Sequence, residues 1–325
     1  MTTAYASSAA AGAGAATLAG ADIRPRFFGI VKGELFKIAR LRTFWLMLVA
    51  IFGLAFAPML LYLTRPGFKD LIAQDPNGAL YNIMPVDLSV IRIFSGILLL
   101  ILSAMVIGLE YQQGTIRILL GRGVGRLQLL GAKTLALALV GAVLLLALLI
   151  YDVLLAMGML LIRTGSLDLL NHATPAFWTD ARLYLLTVVI SMVATLALGV
   201  CVAVVGRTLA FGVGVGLSWF AADNIAVIIL LLIVNFTNND FWARVSGFFL
   251  GPILNTLPTL LIGAHTVTFQ AENGALASVS RPIAVVGFQP IDKIDATHGL
   301  LVIAVYTIIF VVTAIVLTAR RDVLE

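Results

Sequence analysis

Charge is the scarcest thing in this sequence. Asp, Glu, Lys and Arg make up 11% of its 325 residues, against 61% hydrophobic positions and a mean hydropathy of +1.07. Soluble globular chains carry about 25% charged residues, so an ordinary soluble enzyme, a disordered protein and a collagen-like chain are excluded. The one cysteine, Cys201, lies in an apolar run, which rules out an intrachain disulfide and a cysteine-rich metal site. His172, His265 and His298 are far apart and none lies in an H-E-x-x-H pattern, so a helical zinc site has no support. A nucleotide-binding phosphate loop is missing too. The nearest approach, Gly125 to Thr134, spaces its glycines one residue too far, puts Ala132 between Gly131 and Lys133, and follows no strand. Gly216-Leu217-Ser218 lacks the second glycine of a nucleophile elbow, which leaves no visible nucleophile–base pair.

What is present is apolar sequence in span-length blocks. Runs at 44–63, 91–109, 134–162, 183–205, 209–236 and 299–318 can each cross a hydrocarbon layer of about 30 Å as a helix. Lipid offers the backbone no hydrogen bonds, so helices are predicted for all of them. The expected fold is all-α, a polytopic membrane protein with six transmembrane helices over residues 24–325. Residues 1–23, rich in Ala, Gly, Ser and Thr, read as a disordered tail without the basic and Leu-rich regions of a secretory signal. The run 246–264 contains Pro252, Asn255 and Pro258, and proline interrupts a helix, so it is expected to be broken or re-entrant rather than a seventh span. Glu272–Ser280, punctuated by Gly, Asn and Ser, reads as a loop.

With both termini cytoplasmic, the inside holds 13 basic and five acidic residues. The longer outside loops hold eight basic and nine acidic ones, Asp87 and Arg92 among them. That density bias follows the positive-inside rule, with both termini expected on the cytoplasmic side of the cell (inner or plasma) membrane. The net charge of +5 therefore reflects orientation rather than affinity for nucleic acid. Asp152 and the Asp223-Asn224 pair stay within spans, where a carboxylate costs at least about 2.5–3.5 kcal/mol. They are candidates for a polar substrate path or a subunit interface. Gly206, Gly212, Gly214 and Gly216 suggest close helix packing.

Two segments flanking the spans carry a pattern. Phe28, Val31, Leu35 and Ile38 form a helical stripe with Lys32, Lys37 and Arg40 mostly off it, as in a short helix lying on the inner membrane surface. Between the second and third spans, Glu110 reaches the cytoplasmic interface, Gly114 offers a turn and Thr115 is placed to cap a short helix. Gly121, Gly123 and Gly125 make a second break. The loop is thus expected to be a short helix between glycine hinges that presents Arg117, Arg122 and Arg126 to a soluble partner.

This loop resembles the first cytoplasmic loop of type-2 ATP-binding-cassette permeases, matched at Glu110, Gly114, Thr115, Arg117, Leu120, Arg126 and Lys133. The stretch Lys32-Gly33-Glu34-Leu35-Phe36-Lys37, with Arg40 just beyond, resembles that family's connecting helix, and Ala319–Asp322 its ending after the sixth span. The resemblance implies two permease subunits, identical or not, bound to two separately encoded ATP-binding subunits. Those partners would carry the ATP and magnesium, so this chain would be neither an enzyme nor a cofactor carrier. It also implies export, driven by pressure of the ATP-binding subunits on residues 110–133. Glu110→Lys or Arg117→Glu would then uncouple hydrolysis from transport while the spans stay folded. Two other readings remain open: an intramembrane enzyme, which needs a paired nucleophile and base or a carboxylate pair on facing spans, and a non-transporting membrane sensor or scaffold.

Overall fold

The computed structural model of the chain describes residues 26–65, 67–270, 276–282 and 288–320, the segment 264–282 by its backbone alone. The expected tail at 1–23, and Arg321 and Asp322, lie outside these residues. Helix α1 (Phe27–Arg40) leads into a first span made of α2 (Arg42–Ala55) and α3 (Ala57–Thr64). After a short α4 (Phe68–Gln74) comes α5 (Pro76–Ser103), which passes through a π-type turn (Ala104–Gly108) into α6 (Leu109–Gln112). The loop helix α7 (Thr115–Gly121) precedes α8 (Arg126–Thr164), α9 (Pro175–Gly206) and α10 (Leu209–Thr237). A helix pair, α11 (Asp240–Ser246) and α12 (Leu250–Ile262), precedes the last span, α13 (Ala296–Arg320). Among the described residues six helices are long and apolar enough to cross a membrane, and the chain is an all-α polytopic membrane protein.

The span boundaries differ from the hydropathy reading in one consequential place. The second span starts at Pro76 rather than near residue 91. Proline suits a helix's first turn, and the Asp75 carboxylate accepts from the Gly78 N–H at 2.9 Å to cap it. Asp87 and Arg92, expected in an outside loop, therefore lie inside α5 and are 8% and 4% exposed. Hydropathy ended the run at these polar residues because it cannot see tertiary partners.

The helices are not equivalent. In the most apolar stretches of α5 and α9, 67% and 72% of residues are buried, against 11% in α10, so α5 and α9 form the centre of the bundle. Glycine permits two of the close approaches around it. A Cβ on Gly212 of α10 would sit 2.7 Å from the Ala104 Cβ, and one on Gly108 would sit 2.7 Å from the Thr208 carbonyl oxygen. The expected role of small residues in packing is thus seen at Gly212 and Gly216, whereas a Cβ on Gly214 would meet nothing within 4 Å.

The segment before the last span is bent by 81° between α11 and α12. The break falls at Gly247–Phe249, not at the prolines. Pro252 sits in the first turn of α12, where a missing N–H costs little, and Pro258 lies inside the helix. The bend is held from the far side. The Ser246 hydroxyl accepts from the Ile291 N–H at 2.7 Å, and a ring nitrogen of His298 bonds the Gly247 carbonyl at 2.8 Å. Beyond α12 the backbone forms an antiparallel hairpin, β1 (Ala264–Gln270) with β2 (Leu276–Pro282), in which Val267 faces Val279. The strand β2 covers part of the expected loop at 272–280. Alternating, β-branched sequence favours strands, and the turn-forming residues masked that alternation.

Candidate coupling site at the charged end of the bundle

Helix α1 buries Val31, Glu34 and Ile38 and packs along α8. The expected stripe holds at Val31, Leu35 and Ile38, but Phe28 is 76% exposed and the buried side contains a carboxylate instead. Glu34 is buried because a cation waits for it. Lys133, in the second turn of α8, donates from Nζ to Glu34 Oε2 at 2.9 Å and to the Val106 carbonyl of the π-type turn at 3.1 Å. The same Nζ lies 2.7 Å from Glu110 Oε2. Lys37 closes the ring, 2.7 Å from Glu34 Oε1 and 2.6 Å from Glu110 Oε1. Two carboxylates and two ammonium groups thus alternate in a neutral quartet that ties α1, α6 and α8 together. The Lys133 and Glu34 side chains are 2% and 4% exposed. Removing one member of such a buried set leaves an uncompensated charge and costs about 3–5 kcal/mol. At Lys37, burial opposes the charge, but hydrogen bonds and attraction from Glu110 and Glu34 outweigh it and raise the ammonium's pKa.

Glu110, the first of the candidate coupling residues, is a corner of this quartet, with its backbone held as well. The Thr115 hydroxyl donates to the Glu110 carbonyl at 3.2 Å, so Thr115 closes the end of α6 rather than capping α7. The N-cap of α7 is Gly114 at φ 69°, a left-handed conformation that glycine adopts freely. Gly123 turns the chain again at φ 82°. Gly125 caps α8, receiving Gln128 Oε1 on its N–H at 3.4 Å. Between these hinges Ile116 packs with Val124 and Leu129, which fixes the underside of α7. Its outer side carries Arg117 and Ile118, and Arg122 follows, all exposed; Arg126 is half-buried. The short helix between glycine hinges is therefore present. The next connection is linked in as well. Arg207, at φ 51°, places its guanidinium 5.5 Å from the Tyr111 ring centre, and Gln112 Oε1 accepts from the Leu209 N–H at 3.3 Å. On α1, Lys32 and Arg40 stay on the surface, Arg40 4.3 Å above the Phe36 ring.

The three residues singled out inside spans separate. Asp223 Oδ2 accepts from the Gly251 N–H at 2.9 Å and so anchors the start of α12 to α10. Asn224 Oδ1 accepts from the Phe288 N–H at 3.2 Å and lines a cavity of about 360 Å³ among α5, α9, α10 and α12. Asp152 lines a different, much smaller cavity of about 10 Å³ together with Asp87 and Tyr62. Arg92 and Ser191, which sequence reading passed over, line the large cavity. The only signal in the sequence was an arginine at the very start of a long apolar run, which reads as an ordinary flank.

Residues 30–223, from α1 through the middle of α10, match the family described as ABC-2 family transporter protein. No curated protein matches the chain. The matched stretch contains the whole quartet, the hinged loop helix, four whole spans and the first half of the fifth, and it exceeds half of the chain. A polytopic helical bundle with that match belongs to the ABC-2 family of membrane transporter proteins.

Proposed function

We propose that the chain is the permease subunit of an ATP-driven exporter in the cell membrane, with both termini cytoplasmic. Two permease subunits, identical or not, pair and bind two ATP-binding subunits, which hold the ATP and magnesium. The quartet of Glu34, Lys37, Glu110 and Lys133 carries this reading. It joins the base of the loop helix to the second and third spans and to α1. A partner pressing on α7 at Arg117 and Arg122 would move those elements as one piece, through Glu110 and Lys133, rather than bend a slack loop. Such a push suits a site without chemistry of its own, in which binding energy spent elsewhere shifts a two-state helix arrangement.

The test is reconstitution with a separately encoded ATP-binding subunit from the same cell. The complex should form, and Arg117→Glu should lower transport per ATP hydrolysed while leaving the chain's melting temperature unchanged. A purified chain that never associates with such a subunit would sink the reading. Asp87 and Asp152 do form a carboxylate pair on facing helices, the feature an intramembrane hydrolase needs. Their cavity of about 10 Å³ holds roughly one water molecule and no peptide or ester substrate, which favours the transporter.

A further inference from the structure

We propose that the cavity among α5, α9, α10 and α12 binds a single-chain amphiphile through its anionic phosphate or carboxylate head, with Arg92 as the counter-charge. The proposal builds on the permease reading only in taking such a molecule as cargo. Arg92 is 4% exposed, deep enough that an unpaired guanidinium is costly. Its Nη1 donates to the Leu254 carbonyl and its Nη2 to Asn255 Oδ1 at 3.4 Å. The first contact has a local cause. Pro258 lacks an N–H, so the Leu254 carbonyl four residues earlier loses its helical donor, and Arg92 supplies one. Both acceptors are neutral. No carboxylate lies within ion-pair distance among the described residues, and Arg92 Nε is buried without a partner. Asp223, on the neighbouring α10, commits Oδ2 to the Gly251 N–H.

A second orphan belongs to a residue of the same wall. Ser191 Oγ, on a residue 4% exposed, also has no partner, and Ser191 lines the cavity with Arg92 and Asn255. Asn224 and Thr195 add two more polar side chains, and most of the remaining wall is apolar, with Ile93, Ile97, Leu100, Leu217 and Phe220. A cation with an unused donor, in the same cavity wall as a spare hydroxyl, suits an oxyanion, because arginine's planar fork matches carboxylate and phosphate. The apolar wall suits a hydrocarbon chain. The volume, about 360 Å³, is at the small end of ligand pockets (about 300–1,000 Å³), which favours one short chain over a diacyl lipid. Arg92 stands about 27 Å along the helix from Glu110, so the head sits toward the end of the bundle away from the quartet.

The full chain, in zwitterionic phosphatidylcholine nanodiscs without any ATP-binding subunit, is titrated with radiolabelled decyl phosphate. Saturable binding is expected. Decanoate should displace the probe, whereas decanol, decyltrimethylammonium and inorganic phosphate should compete at least about tenfold more weakly. Arg92→Gln keeps an N–H donor for Leu254 while removing the charge, and should weaken binding about tenfold or more. Should that variant fail to fold, Ser191→Ala is expected to weaken binding several-fold with an unchanged melting temperature. Equal competition by the cation or the alcohol would overturn the proposal, as would wild-type affinity in the folded variant. Displacement by phosphatidate as strong as by decanoate would overturn the single-chain assignment. Because this assay contains no ATPase, its failure leaves the coupling test above untouched, and the reverse also holds.

Discussion

Lys133 is the residue on which the charged end of the bundle turns, since its one ammonium meets two carboxylates and a backbone carbonyl. Lys133→Met should destabilise the chain by about 3–5 kcal/mol, read as a lower melting temperature in detergent. Adding Glu34→Gln should recover part of that loss, since paired members of a network are not additive. Lys37 provides a pH dependence. A raised folded-state pKa means its stabilisation is complete below the ordinary value of 10.5 and is lost as pH climbs through the higher folded value. Melting temperature should fall over that alkaline range, and Lys37→Met should flatten the fall; identical profiles would remove the quartet's role for Lys37. The geometry also divides the two substitutions considered from sequence. Glu110→Lys puts a third ammonium beside Lys37 and Lys133 and should lower stability, so it cannot report coupling alone. Arg117→Glu, on the exposed side of α7, can.

Among elements, the contact of α5 with α10 and its connection depends on missing side chains. Gly108→Ala would drive a methyl into a backbone carbonyl that cannot rotate away, and Gly212→Ala would meet Ala104. Each should cost about 1–3 kcal/mol by overpacking. Gly214→Ala, two residues along the same helix with open space around it, should be near neutral by the same melting assay. All three behaving alike would mean that small residues there are incidental. Similar logic explains α12. A proline inside an apolar helix reads as a break, yet the helix continues, because an arginine on another helix feeds the carbonyl that Pro258 orphaned.

At the scale of the whole molecule, α10 is the least covered span, although it carries Asp223, Asn224 and Asn235. Asp223 and Asn224 turn inward to Gly251 and Phe288, and pairing of two permease subunits through this helix would cover its exposed apolar side at Ile225 and Ile229. In a Cys201→Ala background, Ile225→Cys, at a position 55% exposed, should cross-link two copies in native membranes. Only monomers at Ile225 and at Ile229 would move the interface to another helix.

Much of this was legible in the linear order of residues. Span-length apolar runs dictate helices because lipid leaves the backbone no other partner, and glycines at 114, 123 and 125 marked the hinges of the loop helix. Such signals are local, set by each residue's own backbone freedom and polarity. What the three-dimensional arrangement alone decided is where charge can be hidden. Glu34 and Lys133 are 99 positions apart, and Arg92 and Leu254 are 162 apart. A buried charge is tolerable only beside a partner, and the partner's location is a property of the packed bundle rather than of the neighbouring sequence.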